Sequence, residues 1–175
     1  KKVLIIGVGN TAMDCCRSAK RLGATDVKVI SRRTRKYFKA SPWELEDAEE
    51  EQVEILENLS PVRFIVENGK LTGMEFDKFT SREENGKFIQ EPAGRVTLPC
   101  DAVVLAIGQE NAFPWIERDM GLEFDRKWDM PVVDKTTFMS TRPGVFFGGD
   151  AAFGPANIIW AVEHGHQAAI SIHQF

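Results

Sequence analysis

The residues best placed to do chemistry are those of Gly7-Val8-Gly9-Asn10-Thr11-Ala12, which follow the apolar run Lys2–Ile6 and open a helical pattern. In such a turn the first glycine makes the tight bend, the second leaves bare backbone where a pyrophosphate can approach, and a small third residue lets helix pack closely on strand. The spacing of Gly7, Gly9 and Ala12 is therefore that of a dinucleotide-binding turn. About twenty residues further on, a site for an unphosphorylated ribose carries Asp or Glu. This chain has Ser31-Arg32-Arg33 instead. An acid there would repel a 2′-phosphate, whereas a small residue and two guanidinium groups invite one, so the expected ligand is NADP(H). The competing readings are a tight turn that binds nothing, and Arg32, Arg33, Arg35 and Lys36 as a merely exposed basic loop.

A second landmark is Gly148-Gly149-Asp150, read as the end of a strand, with a helix opening near Pro155-Ala156-Asn157. An Asp there can accept hydrogen bonds from sugar hydroxyls, and the positive end of the following helix can stabilise negative charge. The same triplet is also ordinary turn chemistry.

Other candidates are weak. Cys15 and Cys16 are adjacent and Cys100 is remote, which makes no CxxC pair, zinc quartet or iron–sulfur spacing, so all three are expected to be buried small apolar residues. His164 and His166, two apart on a helix, face different directions and make no joint metal site. Trp160 is expected to pack. No side chain is singled out as catalytic and none as a metal ligand.

The elements that must position these residues follow from the pattern. Lys2–Gly7 lacks alternation, as expected of a parallel strand buried on both faces. Ala12, Cys15/Cys16, Ala19 and Leu22 recur at helical spacing before Gly23, and Asp26–Ile30 completes a βαβ unit. Ser41 as N-cap, Pro42 at the first helical position and Glu44 three residues after the cap start a second helix, whose acidic run is read as solvated surface. Val53–Leu56 returns to strand, Asn68-Gly69 marks a hairpin, and residues 86–100 add further antiparallel strands. Asp101–Gln109 reads as another buried strand, and a loop-rich link leads to the second landmark. The expected fold is α/β, a Rossmann-like three-layer dinucleotide-binding fold with an antiparallel β insertion. Residues 1–109 form a nucleotide-binding domain, and 110–175 a linker with part of a second domain.

Composition bounds the function. With 43% hydrophobic residues the 175-residue chain can bury a substantial core, and a formal charge of −4 gives no footprint for nucleic acid or an anionic membrane surface. The apolar runs Val3–Val8 and Ala102–Gly108 are too short to span a bilayer, and no leader pattern precedes them, so the cytoplasm is the expected compartment. The chain opens without Met and stops within a helical pattern, as expected of a piece of a longer protein.

Together, GVGNTAMDCCRSAKRLGA and RPGVFFGGDAAFGPANIIWAVEHGHQAA, with SRRTRKYFKASPWELEDAEEE and LPCDAVVLAIGQ between them, resemble the small, NADPH-oxidising subunit of glutamate synthase and its flavoprotein relatives. Closely similar modules serve other iron–sulfur flavoprotein reductases, including the NADPH-side domains of dihydropyrimidine dehydrogenase. The resemblance implies a flavoprotein with two dinucleotide-binding domains, in which the NADPH domain is inserted into a discontinuous FAD domain. Gly7, Gly9, Asn10, Thr11 and Ala12 match the NADPH pyrophosphate turn, Arg32 and Arg33 the 2′-phosphate contacts, and Gly108 a turn near the domain junction. Gly149 and Asp150 match the pair that meets FAD, and Pro155, Ala156 and Asn157 match the helix start that faces the flavin.

The family's first FAD-binding βαβ unit and its N-terminal cysteine-rich segment for iron–sulfur clusters are not in this sequence. The implied FAD site is therefore incomplete here. The implied activity is hydride transfer from NADPH to N5 of FAD, with electrons passed on to a large glutamate synthase-like subunit or another redox partner. A nucleotide-sensing regulatory module, or an assembly element with a vestigial pocket, are the alternatives.

Overall fold

The computed structural model describes residues 1–84 and 86–175. They fall into two compact units, Lys1–Gly108 and Gln109–Phe175. In the first, chain order is β1 (Lys2–Ile6), α1 (Asn10–Arg21), β2 (Asp26–Ile30), α2 (Pro42–Glu50), β3 (Glu54–Leu56), β4 (Leu59–Glu67), β5 (Lys70–Glu84), β6 (Lys87–Pro99) and β7 (Ala102–Leu105). Strands β3-β2-β1-β7 form a parallel sheet in that spatial order, and β4-β5-β6 an antiparallel meander.

The sheet is the middle of three layers because β1 is apolar on both faces and β2 adds Val27 and Val29 to one and Ile30 to the other. Val3, Ile5, Val27 and Val29 point to one side, where Ala12, Met13 and Cys16 of α1 and Leu45 and Ala48 of α2 cover them. Leu4, Ile6 and Ile30 point to the other, against Leu59, Met74 and Phe76 of the meander and Cys100. Burying one large aliphatic or aromatic side chain is worth about 1.5–3 kcal/mol. Two such clusters back to back explain the run of apolar residues without alternation that β1 shows. Outside the core, Arg17 of α1 reaches three carboxylates on and just after α2, Glu51 and Asp47 at 2.9 Å and Glu44 at 3.3 Å, and ties the two helices.

Three local expectations for this unit are corrected. The buried strand expected over Asp101–Gln109 is the shorter β7, Ala102–Leu105, whose last two residues are exposed because it is an edge of the sheet. In place of several antiparallel strands over 86–100, the chain runs a single strand, β6, past Pro92. Proline has no N–H for the ladder, and the register shifts between Asp77 and Phe79, opposite Pro92, to accommodate it. The second helix does start at Pro42 with Ser41 as its N-cap, but the Ser41 hydroxyl makes no cap hydrogen bond. It faces Asn10 instead, and Glu44 is drawn to Arg17 rather than back to the cap.

The second unit is irregular. Isolated antiparallel bridges (Phe124↔Pro131, Val133↔Ser140, Met139↔Phe146) take the place of strands, including the one expected before Gly148. Its loops are held by carboxylates: Asp125 accepts the N–H groups of Lys127, Trp128 and Met130 at 2.8–3.0 Å, and Asp134 those of Thr136 and Thr137 at 2.9 and 2.7 Å. Those bonds satisfy the backbone N–H groups of the two turns without a ladder. Helices α3 (Asp150–Phe153) and α4 (Ile158–Gln174) close it.

Candidate functional site

The glycine turn lies where the strand order reverses. Gly7 N–H donates to Ile30 O at 3.1 Å and Ala106 N–H to Ile6 O at 2.8 Å, so the turn leaves β1 between the carboxyl ends of β2 and β7. In open parallel sheets this crevice is where ligands bind. The two glycines have different reasons to be there. Gly7 has φ +128°, and a Cβ on it would lie 2.1 Å from Ala106 O, so the fold itself requires glycine. Gly9 has φ −99° and ψ 178°, a conformation open to any residue, and a Cβ there would meet nothing within 4 Å. Nothing in the protein requires a glycine at that position. The bare backbone fronts an open cradle at the start of α1.

The N–H groups of Ala12 and Met13 return to Gly9 O at 2.9 and 3.2 Å, whereas the first N–H groups of α1, those of Asn10 and Thr11, have no partner within the helix. Thr11 is exposed and Ala12 buried. The Asn10 side chain is occupied: its Oδ1 accepts Ser41 N–H at 2.8 Å and its Nδ2 donates to Ser41 Oγ at 3.4 Å. With Val8 O accepting from Lys39 and Ala40 N–H at 3.1 and 3.0 Å, this fastens the loop after β2 to the glycine turn.

That loop sorts its own charges. Arg35 pairs with Glu49 and Lys36 with Glu83, but among the described residues Arg32 and Arg33 have no carboxylate within 4.0 Å. Both are exposed, and the Arg33 guanidinium lies 5.7 Å from the Tyr37 ring centroid. Ser31, at the position that would hold an acid, is 2% exposed, and its hydroxyl bonds both polar backbone groups of Arg33. Arg35 and Lys36 are thus ion-paired, whereas Arg32 and Arg33, without a carboxylate partner among the described residues, stand at the end of β2. Gly108 ends this unit, exposed and at φ +90°.

In the second unit, Gly149 has φ +60° and ψ −150°, a region open essentially only to glycine, and its N–H donates to His164 Nδ1 at 3.1 Å. A Cβ on Gly148 would come within 3.0 Å of His164 Cβ, so α4 passes close over this turn. The exposed Asp150 accepts Ala156 N–H on Oδ1 at 3.2 Å, which spans the turn from α3 to the Pro155–Asn157 segment and leaves Oδ2 without a partner among the described residues. Asn157 caps α4 by accepting Trp160 N–H at 3.3 Å. The predicted residues Gly149, Asp150, Pro155, Ala156 and Asn157 are therefore contiguous in this unit, while Gly7, Gly9, Asn10, Thr11, Ala12, Arg32, Arg33 and Gly108 belong to the first.

His164 is structural, and its role is specific. It is not inert filler, since it orients the glycine turn from fifteen residues away while packing on Phe138 and Phe153. Only its place one α-helical stretch beyond a double glycine could have signalled it. The cysteines are free; Cys16 and Cys100 are buried, and burial pushes the Cys16 thiol up to about 11. Among the described residues no helix is long and apolar enough to cross a membrane, and no three His, Cys, Asp or Glu side chains are grouped to hold a metal.

The sequence profile of the pyridine nucleotide-disulphide oxidoreductases matches residues 1–165. Similar proteins include the NADP(+)-dependent formate dehydrogenase subunit beta of Moorella thermoacetica, 37% identical over all of this chain and 25% of that protein. The glutamate synthase [NADPH] small chain of Azospirillum brasilense is 34% identical over all of this chain and 37% of its own length. The chain thus spans well under half the length of these relatives. Among solved structures, the thioredoxin reductase of T. acidophilum superposes with a TM-score of 0.80 at 21% identity, covering 99% of this chain and 52% of that one.

Proposed function

This chain belongs to the pyridine nucleotide-disulphide oxidoreductase family, and on that premise we propose that it is the NADPH-binding part, with a portion of the FAD-binding part, of a flavin-dependent oxidoreductase. The observation that carries the reading is Gly9, a glycine that no contact or dihedral of the protein demands, in front of the open first turn of α1. A pyrophosphate fits that cradle. The Asn10 and Thr11 N–H groups would hold it, and Arg32 and Arg33 would take the 2′-phosphate. In the second unit Asp150 Oδ2 and the start of α4 would hold part of FAD.

Bound NADPH would supply a hydride and bound FAD its acceptor. The chain's own contribution is placement: Gly7 sets the bend, Gly9 admits the phosphates, Ser31 fixes the backbone of Arg33, and His164 holds the Gly149 turn. No side chain is required as acid, base or nucleophile. By analogy with the small and beta subunits it resembles, the complete protein would pass electrons to a partner subunit.

The test is anaerobic mixing of the full-length protein with NADPH or NADH while flavin absorbance is followed. Rapid bleaching by NADPH and slow bleaching by NADH is expected. Equal rates would remove the case for a 2′-phosphate site, and no bleaching with tight nucleotide binding would favour a sensing module.

A further inference from the structure

Strands β5 and β6 run on well past the core. Met74 and Phe76 are buried in the meander, but beyond the register shift at Asp77/Phe79 no described residue of the two strands is buried. An arm without core residues needs another reason to exist. Its contacts with the rest of the unit supply one, because they converge on the loop after β2. The Gln90 amide Nε2 donates to Arg32 O at 2.8 Å. Phe88 packs on Tyr37 with ring centroids 4.7 Å apart, and Glu83 pairs with Lys36. Gln90 is itself oriented, since the same Nε2 lies 3.4 Å from Ser81 Oγ, whose hydroxyl donates to Asn58 Oδ1 beside the base of the arm.

We infer that the outer half of this arm is a specificity-positioning element, and that Gln90 is the residue through which it acts on Arg32. The inference rests on the proposed role of Arg32 and Arg33 toward a 2′-phosphate. A guanidinium on a long side chain gains from a phosphate only what is left after ordering, so a backbone fixed beforehand raises the yield of each hydrogen bond. Ser31 fixes the Arg33 backbone, and Gln90 does the same for the carbonyl of Arg32. The ligand class that would sense the arm is a nucleotide with a 2′-phosphate; its counterpart with a free 2′-hydroxyl would not.

The experiment is calorimetric titration of the full-length protein with NADP+ and with NAD+, for the parent, Gln90→Ala, Arg32→Ala and the double variant. Gln90→Ala is expected to weaken NADP+ about threefold to tenfold, the worth of one neutral hydrogen bond, with NAD+ affinity and the thermal midpoint unchanged. In the Arg32→Ala background the same substitution should leave the NADP+ to NAD+ ratio where Arg32→Ala alone put it. Equal weakening of both nucleotides by Gln90→Ala, or full additivity in the double variant, overturns the positioning role while the 2′-phosphate reading stands. An Arg32→Ala variant with an unchanged ratio overturns both.

Discussion

The buried Ser31 hydroxyl donates to the Arg33 carbonyl at 2.8 Å and accepts the Arg33 N–H at 3.1 Å, so a single side chain fixes both polar backbone groups of a residue two positions on. Each guanidinium–phosphate hydrogen bond is worth roughly 1.5–3 kcal/mol. Arg33→Ala should therefore cut the preference for NADP+ over NAD+ about tenfold to a hundredfold. Ser31→Ala, which frees the Arg33 backbone but keeps its charge, should cut it by less. Titration with both nucleotides measures this, and an unchanged preference in Arg33→Ala would refute the assignment of that residue.

The two glycines of the turn should fail in opposite ways. Gly9→Val is expected to leave the folded state intact and abolish nucleotide binding, because its side chain fills only the cradle. Gly7→Ala should destabilise by about 3 kcal/mol or more, through the clash with Ala106 O and the positive φ. Urea unfolding midpoints read beside nucleotide titration separate the two; a Gly9→Val protein with normal affinity would place the ligand elsewhere.

In the complete protein Asp150→Ala should weaken FAD retention by about 1.5–3 kcal/mol, the worth of a charged acceptor, with NADP+ affinity nearly unchanged. Asp150→Asn, which keeps an acceptor for Ala156 N–H, separates the cap from the charge. If flavin absorbance after gel filtration falls only in the Ala variant, the residue serves its own turn and not the cofactor.

Stability should depend on pH through the α1–α2 clamp. Hydrogen bonds from Arg21 first and Arg17 second hold the Glu51 carboxyl below its ordinary value of 4.5. A carboxylate with a depressed folded-state value contributes stability at pH above its unfolded value, and loses that contribution as pH falls through the folded one. Glu51→Gln should thus be less stable than the parent at pH 7, with the gap closing below about pH 4.5. Urea midpoints across that range would show it; a gap that persists at pH 2 would mean the side chain acts by packing instead.

Neutral-pH alkylation should find Cys15 before Cys16. Cys15 is half-buried, whereas Cys16 is enclosed, its Sγ directed at Met13 O and its thiol raised to about 11. Peptide mapping after a limited iodoacetamide pulse gives the order, and faster labelling at Cys16 would contradict the packing of α1.

What could be read from the sequence was what neighbours along the chain decide. Lys2–Ile6, Asn10–Arg21 and Asp26–Ile30 form the expected strand, helix and strand, and Asn68-Gly69 turns the β4–β5 hairpin. The family assignment followed from the glycine turn together with the later stretch around Gly148-Gly149-Asp150, and the α/β fold from the βαβ pattern. Contacts between distant positions were not legible. Ser41 stands at the cap position as expected, but its hydroxyl is met by Asn10, 31 residues earlier, and not by the helix. Gln90 meets Arg32 across 58 residues, and His164 meets Gly149 from the far side of two helix starts. The strand expected to end in Gly148-Gly149-Asp150 shrinks to the bridge Met139↔Phe146, its backbone bonded to loop residues Phe138, Ser140 and Arg142 instead of a neighbouring strand.

Strand β1 has a neighbour on every side: β2 and β7 in the plane of the sheet, α1 on one face and the meander on the other. Its amide protons can reach solvent only when the whole unit opens, so they should be the slowest to exchange with deuterium, while the outer arm, without a buried residue, exchanges early. The glycine turn is thereby rooted in the last part of the unit to come apart, and the loop bearing Arg32 and Arg33 leans on one of the first. Openings of the arm alone that erase the proposed discrimination between nucleotides would leave the glycine turn standing.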